Sequence, residues 1–116
     1  MNKIDLMEEV YKKEFGCNFN LGIEIPAYFE DQSYRHDTCP KFIYNYQNVE
    51  LFLFVEHEKP EHRETEERRY TIEAFTFPNH IIAVLSTESQ DEALNLINDR
   101  SKINKIIENI KSIKGV

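Results

Sequence analysis

The stretch Val49-Glu50-Leu51-Phe52-Leu53-Phe54-Val55 decides the fold, because five apolar residues follow one another without a break from Leu51 to Val55. A β-strand sends alternate side chains to opposite faces of its sheet, so a run that is apolar at every position is expected to be covered on both faces. The run is also too short to indicate a helix. It therefore predicts the central strand of a sheet.

Four other stretches have the composition of strands and lie on either side of this run. Alternating or aromatic-rich segments bounded by turn residues are typical of strands. The predicted strands are residues 21–25, 41–46, 70–77 and 81–85.

Two details of the sheet follow from local patterns. Gln47-Asn48 predicts a tight hairpin between 41–46 and the central strand, and a continuous strand with a bulge is the alternative. The apolar positions change parity between Ala74 and Phe75, which predicts a bulge or twist there.

Helical spacing of apolar residues appears at both ends of the chain. It predicts a helix over residues 3–15, ended by Gly16. Near the C-terminus, Ser89 and Glu92 have the spacing of a capping box. The apolar stripe that follows is interrupted after residue 98, so two helices, 90–98 and 101–114, are favoured over one bent helix.

These elements predict one domain over residues 1–116. Its fold class is α+β: an antiparallel sheet of about 4–5 strands, with an N-terminal helix and one or two C-terminal helices packed against it. At 116 residues the chain is long enough for one hydrophobic core.

Two stretches do not fit a helix or a strand. Residues 26–40 have no sustained period and mix tyrosines with acids, so they are either a functional loop, a loop that folds its aromatics onto the core, or the site of a short helix at 27–33. Residues 56–69 are almost wholly charged with nearly balanced signs, which predicts a solvated hairpin tip.

The charge of the chain is unevenly distributed. The net charge is −7, yet the first 99 residues hold 20 acids and 9 bases, while the last 17 hold one acid and five bases. An acidic surface repels phosphate backbones and attracts cationic partners, so direct nucleic-acid binding is disfavoured. The alternative is that the acidity only keeps the protein soluble.

Composition also bears on location. No window approaches the ~18 apolar residues of a membrane helix. The first nine residues carry three acids where a secretory signal would be apolar, so we expect a cytoplasmic protein with no membrane association. Cys17 and Cys39 are then expected to be reduced thiols, with Cys17 packed in the core.

The sequence offers little for catalysis or metal binding. His57 and His62 flank two glutamates, and His36 lies three residues before Cys39, but neither spacing forms half of a common zinc site. A cysteine hydrolase would need a thiolate, a base and an orienting group, and no pattern places them together. We therefore expect no cofactor, no metal and no catalytic residues.

Binding is the remaining function class. Tyrosine is enriched in interfaces, and neighbouring acids complement a basic partner. The predicted partner-binding residues combine these types: Tyr28, Glu30, Asp31, Tyr34 and Asp37 on the 26–40 stretch, with Tyr44, Tyr46 and Glu73 extending the surface across the sheet. The alternative is that Tyr44 and Tyr46 cover the core.

The sequence thus favours a non-catalytic acidic protein-binding domain, monomeric or homodimeric. Its best-matched class is a bacterial immunity or inhibitor protein that occludes the active site of a basic toxin such as a nuclease, and changing Tyr34 or Asp31 to alanine should weaken binding. One alternative is a small-ligand-binding or enzymatic domain with a pocket between sheet and helices, lined by Tyr44, Phe52, Phe54 and Phe75. Another is a homodimer subunit that pairs through a sheet edge.

Overall fold

The computed structural model describes residues 9–77 and 80–114. Within these ranges the elements are α1 (Val10–Phe15), β1 (Glu30–Asp31), β2 (Lys41–Tyr46), β3 (Val49–Val55), a 3-10 turn (Pro60–His62), β4 (Tyr70–Thr76), β5 (His80–Thr87), α2 (Gln90–Ile97) and α3 (Arg100–Lys114). The fold is α+β, with a helix before the sheet and two helices after it, which confirms the predicted class. No helix within these ranges has the length and apolar character needed to cross a membrane.

The described strands form one meander sheet in the order β1-β2-β3-β4-β5. Each strand pairs antiparallel with its neighbours in the chain. β3 is third of five, which confirms the prediction that residues 49–55 form the central strand. On β3, Leu51 lies between Tyr44 of β2 and Ala74 of β4.

The two faces of the sheet are buried to different extents. Along β3 the burial alternates strictly, and Leu53 is fully buried while Phe52 and Phe54 are partly exposed. The buried positions form one core with apolar residues of α2 and α3, namely Ala93, Ile97, Ile103, Ile107 and Ile110. We call this side the covered face. Among the described residues, the expected cover is therefore found on only one side of β3.

The β2–β3 connection is the predicted tight hairpin. Tyr46 pairs with Val49, so only Gln47 and Asn48 form the turn. Both residues have positive φ, 50° and 66°. A turn with two left-handed residues matches the twist of the flanking strands, which is why it connects them without a glycine. The alternative of a continuous bulged strand is wrong.

The sheet irregularity lies elsewhere than predicted. The register shifts between Ile72 and Glu73, opposite Val84 of β5, and not between Ala74 and Phe75. β4 alternates regularly throughout. The apparent change of parity arises because Phe75 is an apolar residue on the more exposed face.

The strand predicted at residues 21–25 is absent. Gly22 has a φ of 77°, which breaks an extended strand. The carbonyl of Leu21 instead accepts a hydrogen bond from the Tyr70 hydroxyl at 2.7 Å, and Leu21 and Ile23 pack into the core. The first strand is β1, inside the 26–40 stretch that the sequence leaves without a strand, and no helix forms at 27–33.

The C-terminal helices are two, as favoured from the sequence. Ser89 caps α2, because its side chain accepts the backbone N–H of Glu92 at 3.2 Å. α1 ends at Gly16 as predicted, whereas the predicted start of that helix lies outside the described residues. Both cysteines are free, and Cys17 is exposed, so the expectation that it packs in the core is wrong.

Candidate functional site

The face of the sheet opposite the core carries three rows of side chains, which we call the open face. The rows follow from the strand register and the alternation of side chains along each strand. In sheet order they are Glu30, Ile43, Phe52, Glu73 and Ala83 in the middle, Asn45, Glu50, Phe75 and Ile81 nearer the β2–β3 turn, and Lys41, Phe54, Thr71 and Ser86 at the other end.

Aromatic rings occupy the centre of the open face. The rings of Phe52 and Phe54 are stacked with centroids 6.0 Å apart and planes 20° from parallel. Phe75 is partly exposed beside them, and Ile81 on β5 is 66% exposed. None of these four residues belongs to the core cluster or to the apolar residues packed against it. They form a second apolar layer that solvent reaches, and contiguous exposed apolar surface marks interaction sites.

Carboxylates lie among and beside these rings. Glu50 lies beside Phe75, and Glu73 lies beside Phe52. Glu30 occupies the β1 end of the middle row. Lys41 is the one cation in the three rows, and its ammonium lies 3.7 Å from the carboxylate of Asp37. The open face therefore combines aromatic rings with neighbouring carboxylates.

The predicted site residues are divided between the two faces. Glu30 and Glu73 lie on the open face, but the three sheet-associated tyrosines lie on the covered face, against α2 and α3. Tyr44 is 4% exposed, and its hydroxyl donates to Asn104 at 2.6 Å. The Tyr46 hydroxyl donates to Glu108 at 2.9 Å. These rings join the sheet to α3.

Tyr28 belongs to the same covered layer. Its ring lies edge-on to Tyr44 with centroids 5.0 Å apart, and its hydroxyl donates to the backbone carbonyl of Ile97. The Arg100 guanidinium lies over both rings, 5.6 Å from the Tyr28 centroid and 5.4 Å from that of Tyr44. Burial raises the pKa of Tyr28 to about 12, and the nearby Tyr44 adds to the effect. Its hydroxyl is therefore neutral and serves as a structural donor.

The remaining predicted residues lie near α1 and the β1–β2 connection. Asp31 accepts the Tyr11 backbone N–H at 2.9 Å and that of Ser33 at 3.1 Å, so its carboxylate anchors α1 to the sheet. Tyr34 is 52% exposed, with its ring beside His36. Asp37 pairs with Lys41. The structure thus does not bring the eight residues together on one surface.

Sequence reasoning placed Phe52, Phe54 and Phe75 in an alternative pocket between sheet and helices and not on an exposed face, and it did not name Glu50 or Ile81 as site residues. For Phe52 and Phe54 the signal was the unbroken apolar run from Leu51 to Val55. An antiparallel strand with one solvated face normally alternates apolar and polar residues. The excess apolar residues were assigned to a second buried face instead of an exposed one.

The charged segment 56–69 joins the antiparallel strands β3 and β4, and its residues 58–62 and 64–68 are exposed, as predicted for a solvated hairpin tip. Arg63, at its centre, is the exception. Arg63 has a side chain only 3% exposed and uses all five of its N–H donors. Two go to the Glu88 carboxylate at 2.7 and 3.0 Å, and the others go to the carbonyls of His57, Glu58 and Glu67 at 2.8, 3.4 and 3.2 Å. This pairing raises the pKa of Arg63 and lowers that of Glu88.

The other chemistry weighed from the sequence has little geometric support. Burial raises the pKa of the Cys39 thiol to about 12, so it is not a thiolate nucleophile at neutral pH. The described residues include no group of three or more His, Cys, Asp or Glu side chains that could hold a metal ion. Tyr44 lies on the covered face while Phe52, Phe54 and Phe75 lie on the open one, so the four do not line one pocket.

Comparison of the chain with protein-family models, with curated proteins and with solved structures finds no match. The case for function therefore depends on the open face itself.

Proposed function

We propose that the protein is a non-catalytic, acidic protein-binding domain, acting as a bacterial immunity or inhibitor protein in the cytoplasm. It neutralises a basic toxin, such as a nuclease, by covering the active site of that toxin. The observation that carries this proposal is the open face, where partly exposed aromatic rings lie beside Glu50 and Glu73, with Glu30 on the edge strand β1. No described cation lies within ion-pair distance of these three carboxylates.

This arrangement has the anatomy of a protein interface. Interfaces combine a desolvated centre, enriched in aromatic residues, with a polar rim. On the open face the stacked Phe52 and Phe54 rings supply apolar surface, and Glu50 and Glu73 supply charge next to Phe75 and Phe52. Negative charge accelerates association with a basic protein, whereas burial of the rings slows dissociation.

The charge of the proposed surface also selects the partner class. Active sites of nucleases are basic because they bind phosphate, and an acidic face complements them. The net charge of −7 works in the same direction over a longer range. An acidic surface without the aromatic centre would support solubility alone, so the rings distinguish the two interpretations.

The test is capture of a partner from the native host at low salt, followed by measurement of whether the protein suppresses toxicity when both are co-expressed. We expect a cationic protein whose dissociation is faster with Phe52→Ala and whose association is several-fold slower with Glu50→Gln. Val10→Ala and Glu24→Gln are the matched controls, because both residues are exposed and lie away from the open face.

Two outcomes would reject the proposal. One is the absence of any cationic partner at low salt, and the other is a partner whose binding is unaffected by both open-face variants. The originally expected variant Asp31→Ala is unsuitable, because Asp31 holds the Tyr11 backbone and its loss would disturb α1. A toxin reading frame immediately upstream of the gene would support the proposal independently.

A further inference from the structure

A cavity of about 180 Å³ opens at the end of the open face, between β3, β4 and the folded 56–69 segment. Its lining includes three acidic residues, Glu56, Glu67 and Glu73, together with Thr65 and Thr71. Phe54, one of the two stacked rings, also lines it. The cavity is therefore continuous with the aromatic centre of the open face.

Glu56 is the unusual residue of this cavity. It is 2% exposed, and within the described part of the chain its Oε1 atom has no hydrogen-bond partner. Its Oε2 atom accepts only the Thr65 hydroxyl, at 3.3 Å. The buried hydroxyl of Thr71 likewise has no partner among the described residues. A buried carboxylate oxygen without a donor is unfavourable, and such groups call for a ligand or ion.

Two arginines of the described chain lie near Glu56, and neither pairs with its carboxylate. The backbone carbonyl of Arg69 accepts the Glu56 N–H at 2.7 Å, but the Arg69 guanidinium donates to the Asn20 carbonyl at 2.9 Å, and its Nε is buried without a described partner.

Arg63 is close enough for Glu56 to raise its pKa. All five of its N–H groups, however, are directed to Glu88 and to backbone carbonyls. No described cation lies within ion-pair distance of Glu56. The cavity thus carries negative charge that no described cation pairs with, and the hydroxyls of Thr65 and Thr71 are neutral groups that do not balance it.

The residues that line the cavity favour an organic cation over a metal ion. The described residues provide no cluster of three metal-ligating side chains, which disfavours a metal ion. The neighbouring Cys39 is a neutral thiol, because burial and then the charge of Glu56 raise its pKa to about 12, so it is not a thiolate ligand. An aromatic wall beside carboxylates suits an organic cation, which is attracted to both.

We propose that this cavity receives a lysine or arginine side chain of the basic protein partner, with Glu56 as its buried carboxylate acceptor. The inference depends on the proposed function for the source of the cation, and it adds an anchoring contact to the broad open face. Thr65 and Thr71 provide further oxygen acceptors, and Phe54 provides a ring face.

The experiment is an NMR titration of the protein with N-acetyl-arginine amide and N-acetyl-lysine amide, with neutral N-acetyl-norleucine amide as the control probe. We expect saturable shifts of the backbone amides of Thr65, Thr71 and Cys39 with at least one cationic probe and none with the neutral one. Glu56→Gln should weaken binding about tenfold or more, since it removes a charged acceptor.

A matched variant distinguishes binding in the cavity from nonspecific attraction of the cationic probe to the acidic surface. Glu50→Gln removes the same charge from the same face but does not line the cavity, so probe binding should remain within about twofold of the unmodified protein. Glu67→Gln provides a second cavity variant on an exposed residue if Glu56→Gln lowers the Tm. Absence of saturable shifts, or equal affinity in the Glu50→Gln, Glu56→Gln and Glu67→Gln variants, would overturn the proposal.

Different experimental results would reject the proposed cation site and the proposed function. Saturable binding of a cationic probe without any basic protein partner would reject the proposed function and leave the cavity as a cation site. A captured basic partner whose affinity is unchanged by Glu56→Gln and Glu67→Gln would leave the function standing and reject the cavity as its anchor.

Discussion

On the covered face the aromatic residues next to α3 are tyrosines with bonded hydroxyls, whereas on the open face they are phenylalanines with no polar group. Tyr44 and Tyr46 each donate to a side chain of α3. Phe52 and Phe54 stack on one another at the solvent boundary. A sheet that simply faced water would have the opposite preference, with hydroxyls outside and phenyl rings inside.

Aromatic content alone therefore does not locate a binding surface. Tyrosine suits an interface because it has an apolar ring and a polar end, but the same properties suit the junction between a sheet and a helix. Here the helix provides the polar partners through Asn104 and Glu108. Phe52 and Phe54, in contrast, pack against no described helix. The candidate binding surface is therefore the open face.

The largest expected effect comes from truncating one side chain on each face of β3. Leu53→Ala should lower the free energy of unfolding by about 2–5 kcal/mol, because Leu53 is fully buried and its loss leaves a cavity. Phe52→Ala should cost less, although it removes a larger side chain, because Phe52 is already partly exposed. Urea unfolding of both variants measures the difference. An equal or larger loss at Phe52 would mean that the open face is covered in solution.

The next largest loss of stability is expected from a substitution at Gly22, which lies beside Tyr70 and Arg69. A methyl group on Gly22 would lie 2.5 Å from the Tyr70 hydroxyl oxygen and 2.7 Å from the Arg69 guanidinium, and Gly22 has a positive φ. Gly22→Ala should therefore cost on the order of 1–3 kcal/mol, from the backbone conformation and the overlap together. Thermal unfolding measures this cost.

A double-mutant cycle with Tyr70→Phe separates these two causes, because that variant removes the closest atom. We expect Gly22→Ala to cost less in the Tyr70→Phe background. The same cost in both backgrounds would mean that the Tyr70 hydroxyl contributes nothing to the effect, which would leave the backbone conformation and the overlap with Arg69 and Gln90 as its causes.

A smaller effect sharpens the role of the covered tyrosines. Tyr44→Phe keeps the ring but removes the hydroxyl that bonds Asn104 and accepts from Arg100. The expected loss is about 1 kcal/mol of unfolding free energy, typical of one net hydrogen bond. Tyr34→Phe is the control, since Tyr34 is 52% exposed and should show no measurable change. Equal effects at the two sites would contradict the structural role assigned to Tyr44.

The smallest effect concerns the segment at the end of the open face. Arg63 lowers the pKa of Glu88 from its usual 4.5, so the folded state favours the ionised carboxylate. This contribution is fully present above pH 4.5 and is lost as the pH falls through the lower folded pKa. Because the Glu88 side chain is 54% exposed, we expect about 1 kcal/mol or less.

Urea unfolding of the unmodified protein and of Glu88→Gln at pH 7 and at pH 3 tests this dependence. The stability difference between the two proteins should narrow at the lower pH. A difference that stays constant would show that the Arg63 pairing does not depend on the charge of Glu88.

Features set by neighbouring residues were predictable from the sequence. The Gln47–Asn48 hairpin and the Ser89 cap of α2 depend on a few residues close in the chain, and both are observed. The failed strand at 21–25 shows the limit of such reasoning. Its alternating pattern is real, but the carbonyls of Asn20 and Leu21 accept hydrogen bonds from the side chains of Arg69 and Tyr70, each 49 residues further along the chain.

The candidate site shows the same limit for function. Glu30 and Glu73 were predicted in the binding surface and lie on the open face, while Tyr28, Tyr44 and Tyr46 lie on the other. Period-2 alternation states that two residues point in opposite directions but not which direction is solvent. That assignment requires knowing where α2 and α3 pack.

Composition and periodicity were enough to predict the fold class, the central position of residues 49–55 and the acidic character of the surface, because they act through short-range propensity and burial. Which face of the central strand remains exposed depends on where the helices pack. The helices can cover one side of the sheet, and they contribute the polar partners that the tyrosines need. Phe52, Phe54 and the buried carboxylate of Glu56 acquire their significance from that packing, which no local pattern encodes.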